Sequence, residues 1–352
     1  MTHVVPLSLE SFVRRVSAVV VVASLALGAL AQDAPALDRT TAEAEAVAAA
    51  VDVRTAQLDL DATRREAARV EADPTSLRVA LLRARHDVEA AEDALRNARA
   101  AARDAGADAF EAALQARDGV AIASTALDIA RIEADAARIR LEAGAATEND
   151  VARTDDVARA AGRDLADAER RFELALDRLA QAIGRDEAPR RLVEPVADPN
   201  VPSLTSVLDR TTENASLRAA LRAVRLAEAQ LAAVDVAFTS ARADVEAAED
   251  AVATARLRAD DLAESLRLSL RQAHDAVLAA DARVASAEEA LATADEDVRV
   301  AVARFEAGSI SQVLLERTRL ERLRRRAELH TARIGYADAL RSLDAAVLGV
   351  AR

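Results

Sequence analysis

The sequence has no cysteine and no tryptophan, and its 352 residues include one tyrosine and five phenylalanines. Without cysteine there is no disulfide and no residue to carry a lipid, so an exported form must be stable without staples. Lysine is absent as well, and the whole basic complement apart from histidine is arginine. Aromatic residues make up only 2% of the chain, which excludes a thick mixed core. Nine glycines and seven prolines leave few places for the chain to turn. Basic charge is in deficit: 60 acids stand against 47 arginines, a net charge of −13, and no basic face is available for a nucleic acid partner. Of four histidines, His3 lies in the N-terminal segment and His86, His274 and His330 are isolated in sequence, so no metal site is expected. No glycine-rich phosphate loop and no Ser/His/Asp grouping stands out. The expectation is a protein that is not an enzyme and uses no cofactor.

What remains is alanine and charge. Apolar residues reach 51%, much of it alanine, and charged residues reach 30%, the composition of long coiled-coil helices. At the N-terminus, Arg14 and Arg15 precede an apolar run from Val16 to Leu30 that closes on Ala29-Leu30-Ala31 before Gln32. That pattern reads as a secretory signal peptide cleaved after Ala31. The run is short for a membrane span, which needs about 20 residues.

A long stretch occurs twice. RLEAGAAT begins at Arg140 and RFEAGSIS at Arg304, and setting Gly144 on Gly308 also sets Leu165 on Leu329, Phe172 on Tyr336, Leu176 on Leu340, Leu179 on Leu343 and Ile183 on Val347. Shorter matches, LDRTT at 37–41 and 208–212 and DVEAAEDA at 87–94 and 244–251, extend the likeness over whole halves. The chain therefore reads as a tandem duplication: signal 1–31, first helical repeat 32–184, a linker 185–202 holding four of the seven prolines, and second repeat 203–352.

Each half is expected to hold a short helix, a long one and a second short one. In the first half these are 39–71, 75–143 and 147–183; in the second, 204–236, 239–307 and 311–348. The two short helices together match the long one in length, so each half reads as a rod of two antiparallel strands of helix, one continuous and one interrupted. Asp73-Pro74-Thr75-Ser76 breaks the first half, and Val234–Ser240 is the corresponding break in the second. Heptad spacing of Leu165, Phe172 and Leu179, repeated by Leu329, Tyr336 and Leu343, gives each third helix a sticky seam. Ile122, Thr125, Ile129, Ile132, Ala136 and Ile139 give another. Gly106 and Gly119 are weak points where the first long helix could kink or break.

Here the sequence resembles the TolC-type outer membrane efflux protein family. The resemblance rests on the doubled Arg-[Leu/Phe]-Glu-Ala-Gly-x-x-[Thr/Ser] motif, the heptad helix after it, the terminal [Ile/Leu]-Gly at Gly184 and Gly349, and the stretch Ser203 to Leu231 that opens the second half. It implies an all-α protomer of a helical barrel, a homotrimer whose helices form a tapered tunnel, and an exported protein of the outer membrane or periplasm. It also implies that the tips at Gly144 and Gly308 face a periplasmic adaptor protein and an inner-membrane pump, with Thr147 and Ser311 as contact residues. The family carries an acid six residues after the tip glycine; Asp150 fits and Leu314 does not. The family also places two strands of about ten residues between the short and long helices of each half, closing a membrane barrel. DPTS and VDVAF are too short for that, and Ser76–Ala84 (SLRVALLRA) reads as helix, so the barrel strands are expected to be missing.

Two readings of the tip acids stand side by side. Glu142, Glu148, Asp150, Asp155 and Asp156 could line a cation-attracting entrance where three chains converge, or could be a solvated helix start favoured by the helix dipole. Thr147 and Ser311 read as helix caps as well as contact residues. Arg322, Arg324, Arg325 and Arg326 form the one dense basic run, expected to pair with acids on a solvated face. Functionally, the expectation is a TolC-like conduit for efflux or secretion. The alternatives are a soluble periplasmic coiled-coil structural or adaptor protein that kept the rod without the pore, and an amphipathic membrane-surface protein.

Overall fold

A computed structural model describes residues 36–189, 191–194, 201–236 and 242–350. The proposed signal segment and its cleavage site at Ala31 lie outside these residues, as do two of the four prolines of the 185–202 linker, Pro195 and Pro199. Eight α-helices are described: α1 (Arg39–Ala49), α2 (Val51–Ala72), α3 (Arg78–Glu142), α4 (Glu148–Ile183), α5 (Leu204–Asp209), α6 (Ala215–Val236), α7 (Arg242–Glu306) and α8 (Gln312–Leu348), with a 3-10 turn at Arg210–Glu213 between α5 and α6. Among the described residues there is no β-strand; an isolated parallel bridge joins Leu37 to Leu192. No described helix is long and apolar enough to cross a membrane.

The two long helices are the frame. Both α3 and α7 contain 65 residues, about 98 Å at 1.5 Å per residue. Their ends are related by the same 164-residue offset as the two tips, Arg78 to Arg242 and Glu142 to Glu306. Neither Gly106 nor Gly119 breaks α3. Gly106 instead permits a close approach, since a Cβ there would stand 2.6 Å from the Ala46 Cβ of α1.

The first short helix is not continuous, contrary to the expectation for 39–71. Ala50, at φ −61° and ψ 125°, separates α1 from α2. Nothing in the local sequence announces this break, because the cause is tertiary. The C-terminal Gly184 of the α4 segment arrives against it, so close that a Cβ would lie 2.6 Å from the Ala49 Cβ. The second half repeats the arrangement 164 residues on, at Asn214 (φ −65°, ψ 125°), and breaks the expected 204–236 helix there. Asn214 Oδ1 accepts from the N–H groups of Ser216 and Leu217, and its Nδ2 donates to the Ala346 carbonyl at 2.9 Å. Gly349 packs on it. The LDRTT pentapeptides, by contrast, fold differently: Asp38 caps α1 by accepting from Thr41 N–H, whereas the second copy straddles the end of α5 and the 3-10 turn.

In lateral order the helices form a row: the stack of α1, α2 and α4, then α3, then the stack of α5, α6 and α8, then α7. Each half has its own apolar core where its stacked helices abut. The first gathers Leu37, Phe110, Leu114, Leu176, Leu179 and Leu192; the second gathers Val207, Leu217, Leu270, Val277, Tyr336 and Val347. The described part of the linker is irregular but packed. Leu37 N–H donates to the Arg191 carbonyl and Val193 N–H to the Leu37 carbonyl, both at 2.9 Å, which buries Leu192 beside Phe110. The row's two halves join where α3 packs on α6 and α8, while α7 has no extended packing on the first half. One edge of the row is therefore α7, and the other is the stack of α1, α2 and α4.

Candidate functional site

Two hairpin turns close the tip end, and their geometry follows from residue type. Gly144 and Gly308 take left-handed conformations, φ 73° and 68°. At the first tip the Gly144 and Ala145 N–H groups reach back to the Leu141 and Arg140 carbonyls; at the second, Gly308 and Ser309 reach Phe305 and Arg304. This is the paired-bond helix ending that glycine makes possible. Thr147 then caps α4 reciprocally: its hydroxyl accepts from Asp150 N–H at 3.2 Å, while Asp150 Oδ2 accepts from Thr147 N–H at 3.0 Å. The hydrogen bonds from the Thr147 side chain and backbone hold the Asp150 carboxyl below its ordinary range. At the second tip Ser311 accepts from Leu314 N–H at 3.4 Å, and Leu314 has no carboxylate to return the bond. The difference between Asp150 and Leu314 is thus a difference in capping.

Two of the other tip acids are engaged locally. Asp155 accepts from Arg138 of α3 at 2.6 Å, and Asp156 pairs with Arg159 one turn on. Three large apolar side chains flank the tips in solvent: Ile139, Phe305 and Leu314. Ile139, read from sequence as the end of a seam, is 66% exposed, because the face of α3 that is buried there carries Ala130, Ala134 and Ala137 instead. The arginine run on α8 finds acids throughout: Arg322 meets Asp295, Arg324 and Arg325 meet Glu321, and Arg326 meets Glu194.

No protein-family model and no curated protein matches the sequence. The backbone does match solved structures. A membrane protein from Pseudomonas aeruginosa aligns with a TM-score of 0.61 over 88% of this chain and 93% of its own, at 15% identity. The outer membrane protein VceC from Vibrio cholerae gives a TM-score of 0.61 over 89% and 96%, at 14% identity. The Campylobacter jejuni CmeC outer membrane channel gives 0.60 over 88% and 85%, at 11% identity. The chain has the fold of the TolC-type outer membrane channels. Identities this low make the likeness one of fold. The solved neighbours are described as membrane proteins and channels rather than enzymes.

Within this TolC-type fold, the sequence reading missed the polar seam joining the halves. Three clusters line it. At the level of α6, Asp93 is buried between Arg218 and Arg222, with Arg222 also 3.3 Å from Glu89. Lower, Arg341 of α8 reaches Asp108 at 3.0 Å and Glu111 at 3.3 Å, and pairs with Asp338. Oxygens of Asp108, Glu111 and Asp338 lie within 4.8 Å of one another, and the Arg341 guanidinium bridges all three. Arg39 stands 3.3 Å from the second Glu111 oxygen without forming a hydrogen bond to it. Burial therefore prevails and pushes the Glu111 carboxyl up to about 7, against the pull of Arg341 and Arg39. In the third cluster His330, isolated in sequence, is buried with Nδ1 2.5 Å from Asp118 and Nε2 3.2 Å from Glu194. Burial opposes ionisation of Glu194, but the bond from Arg326 and the nearby His330 outweigh it and hold its carboxyl below the ordinary range. His274 likewise is not alone, since its Nε2 lies 2.9 Å from the Pro202 carbonyl.

The repeated DVEAAEDA motif shows how position decides role. Asp93 in the first copy is buried in the seam, whereas Asp250 in the second is exposed. Because α3 and α7 correspond at offset 164, the true counterpart of Asp93 is Leu257, which is 71% exposed on the free edge. A signal existed in the offset itself: the motif is displaced by one heptad against the helix that carries it.

Proposed function

We propose that three copies of the chain close edge to edge into a tubular duct, through which solutes expelled by an inner-membrane pump leave the cell. The supporting observation is that the internal joint between the halves, shifted by the 164-residue correspondence, finds suitable partners on the two free edges. Internally, Asp93 of α3 meets Arg218 and Arg222 of α6. Their counterparts are Leu257 of α7 and Arg54 and Leu58 of α2, and Leu257 and Leu58 are 71% and 68% exposed. Internally, Arg341 and Asp338 of α8 lie against Asp104 and Asp108 of α3. The Asp104 and Asp338 counterparts, Leu268 and Leu174, are 58% and 50% exposed. Nearer the tip, Glu133 pairs with Arg317 at 2.6 Å, and their counterparts are Asp297 and Arg153, an opposite-charge pair on opposite edges. The match is not uniform, because Glu111 and Arg341 become Asp275 and Asp177, which share a sign.

A closed ring of three rows is twelve helices around. With neighbouring axes roughly 9 Å apart, the ring is roughly 35 Å across between axes, and subtracting one helix diameter leaves a bore of about 24 Å. Such a tube works by conduction and needs no chemistry. The tips, with exposed Ile139, Phe305 and Leu314 beside Gly144, Thr147, Gly308 and Ser311, would face the pump and a periplasmic adaptor protein. In a trimer the acids near the first tip, among them Asp150, Asp155 and Asp156, would converge at the entrance. The distal end would lie at the outer membrane.

One observation favours a second reading, a soluble periplasmic rod without a pore. Residues 73–77 and 237–241 leave five positions in each connection between short and long helices, whereas a membrane-spanning strand takes about 9–11 residues. Because the chain lacks cysteine, engineered cysteines distinguish the two. With Leu58→Cys and Leu257→Cys in one chain, oxidation is expected to give a cross-linked ladder that ends at three chains. A product that remains a single chain, or ends at two, contradicts the duct.

A further inference from the structure

We infer that the groove between α3 and α6 at the distal end holds the phosphate-bearing headgroup of an anionic membrane lipid. In a chain with 60 acids, the stretches 74–86 and 214–227 contain none, while they carry Arg78, Arg83 and Arg85 in the first and Arg218, Arg222 and Arg225 in the second. The fold brings these two acid-free stretches together across the joint between the halves. Arg218 and Arg222 are spent on Asp93 and Glu89 deeper in the seam. The outermost arginines face an open groove of about 430 Å³ lined by Arg78, Leu81, Leu82, Arg85, Arg225 and Glu228. Its one acid, Glu228, is held by Arg256 at 2.6 Å. Arg85 pairs with Glu71 at 3.1 Å. Arg78 and Arg225 have no ion pair or hydrogen bond among the described residues.

Guanidinium groups on the rim with leucines on the floor suit a phosphate with a hydrocarbon tail. The neighbourhood agrees. His86, next to Arg85, is held below its ordinary value mainly by burial, to which the positive charges of Arg225 and Arg222 add against the pull of Glu89 and Asp87. Leu77, immediately before α3, is 76% exposed and places an apolar side chain beside the groove mouth. Arg78, Leu81, Leu82 and Arg85 lie at the start of α3, within about 12 Å of the connection that ends the rod. A surface-bound lipid headgroup would thus tether the distal end, where the connection at 73–77 is shorter than a membrane-spanning strand. The duct reading is used only to place this end at a membrane.

The test is flotation of the purified protein with phosphatidylcholine vesicles, with and without phosphatidylglycerol, in low and high salt. Binding is expected only when phosphatidylglycerol is present, and is expected to fall with salt. Arg78→Gln with Arg225→Gln should weaken it about 30-fold, from roughly fivefold per arginine at an anionic surface. Arg163→Gln with Arg178→Gln on α4, which removes the same charge elsewhere, should leave it unchanged. Equal binding to both vesicle types, or equal loss in the two double variants, overturns the inference. So does inorganic phosphate that binds at low concentration in the absence of lipid and is lost in Arg78→Gln with Arg225→Gln, since the site would then be one for a free anion. A monomer that still binds through Arg78 and Arg225 would sink the duct and leave the lipid groove standing.

Discussion

Gly106 and Gly119 lie in the same helix, α3, and the same substitution at each is expected to act with opposite sign. Replacing a helix-interior glycine by alanine favours the folded helix by up to about 1 kcal/mol. At Gly119 nothing lies within 4 Å of the position a Cβ would take, so this gain is realised in full. For a chain of 352 residues, with an unfolding entropy near 2.1 cal/mol/K per residue, it corresponds to roughly 1.4 °C in Tm. At Gly106 the Cβ would stand 2.6 Å from Ala46 Cβ and 2.9 Å from the Ala42 carbonyl oxygen. Neither is the free end of a flexible side chain, so α1 must move away from α3. Overpacking of this kind costs about 1–3 kcal/mol, which exceeds the propensity gain. Displacement of α1 also disturbs the buried Leu37, Ala42 and Ala46. Thermal melts followed by far-ultraviolet circular dichroism are expected to show Gly119→Ala above the parent and Gly106→Ala below it. If Gly106→Ala is stabilised as much as Gly119→Ala, α1 does not dock on α3 as described.

Asp93→Ala should cost about 3 kcal/mol or more by leaving Arg218 and Arg222 without their buried carboxylate, whereas Asp250→Ala, in the same sequence motif, should stay within about 0.5 kcal/mol in urea denaturation. Thr147→Ala should lower stability by about 1 kcal/mol, and Leu314→Asp, which supplies the missing return bond to the Ser311 N–H, should raise it by about 0.5 kcal/mol; equal melts for parent and both variants would contradict the capping account. The Glu111 carboxyl, raised from 4.5 to about 7 by burial, gives stability that is complete below pH 4.5 and is lost as pH rises through 7. Glu111→Gln should abolish on the order of 2–3 kcal/mol of that loss, so urea midpoints at pH 5 and pH 8 should differ less in the variant than in the parent. A parallel fall in both would contradict it.

Much of this was legible in the sequence because helices of this length are dictated by local rules. Few glycines and prolines, a seam at heptad spacing and two glycine turns placed α3, α4, α7 and α8 within about three residues of their observed ends. The break at Ala50 was not legible, since no side chain caps it and Gly184 from the end of a distant helix packs against it; the break at Asn214 carried a local signal, an asparagine that caps α6, which went unread. Equally hidden was the polar seam. Asp93, Glu111 and His330 look like any solvated charge until α3 is known to have neighbours on both sides, and an identical Asp250 on the edge helix is in fact exposed. The tips were read correctly as turns and caps, while the local partners of Asp155 and Asp156 came only with the packing of α3 against α4.

The most direct test of the duct is the mass of the purified protein by light scattering, measured with and without detergent. The account predicts particles of three chains, each of 37.2 kDa before any processing, and their dissociation by Leu257→Glu with Leu268→Glu on the α7 edge. A single-chain particle under both conditions, unchanged by those substitutions, would contradict it.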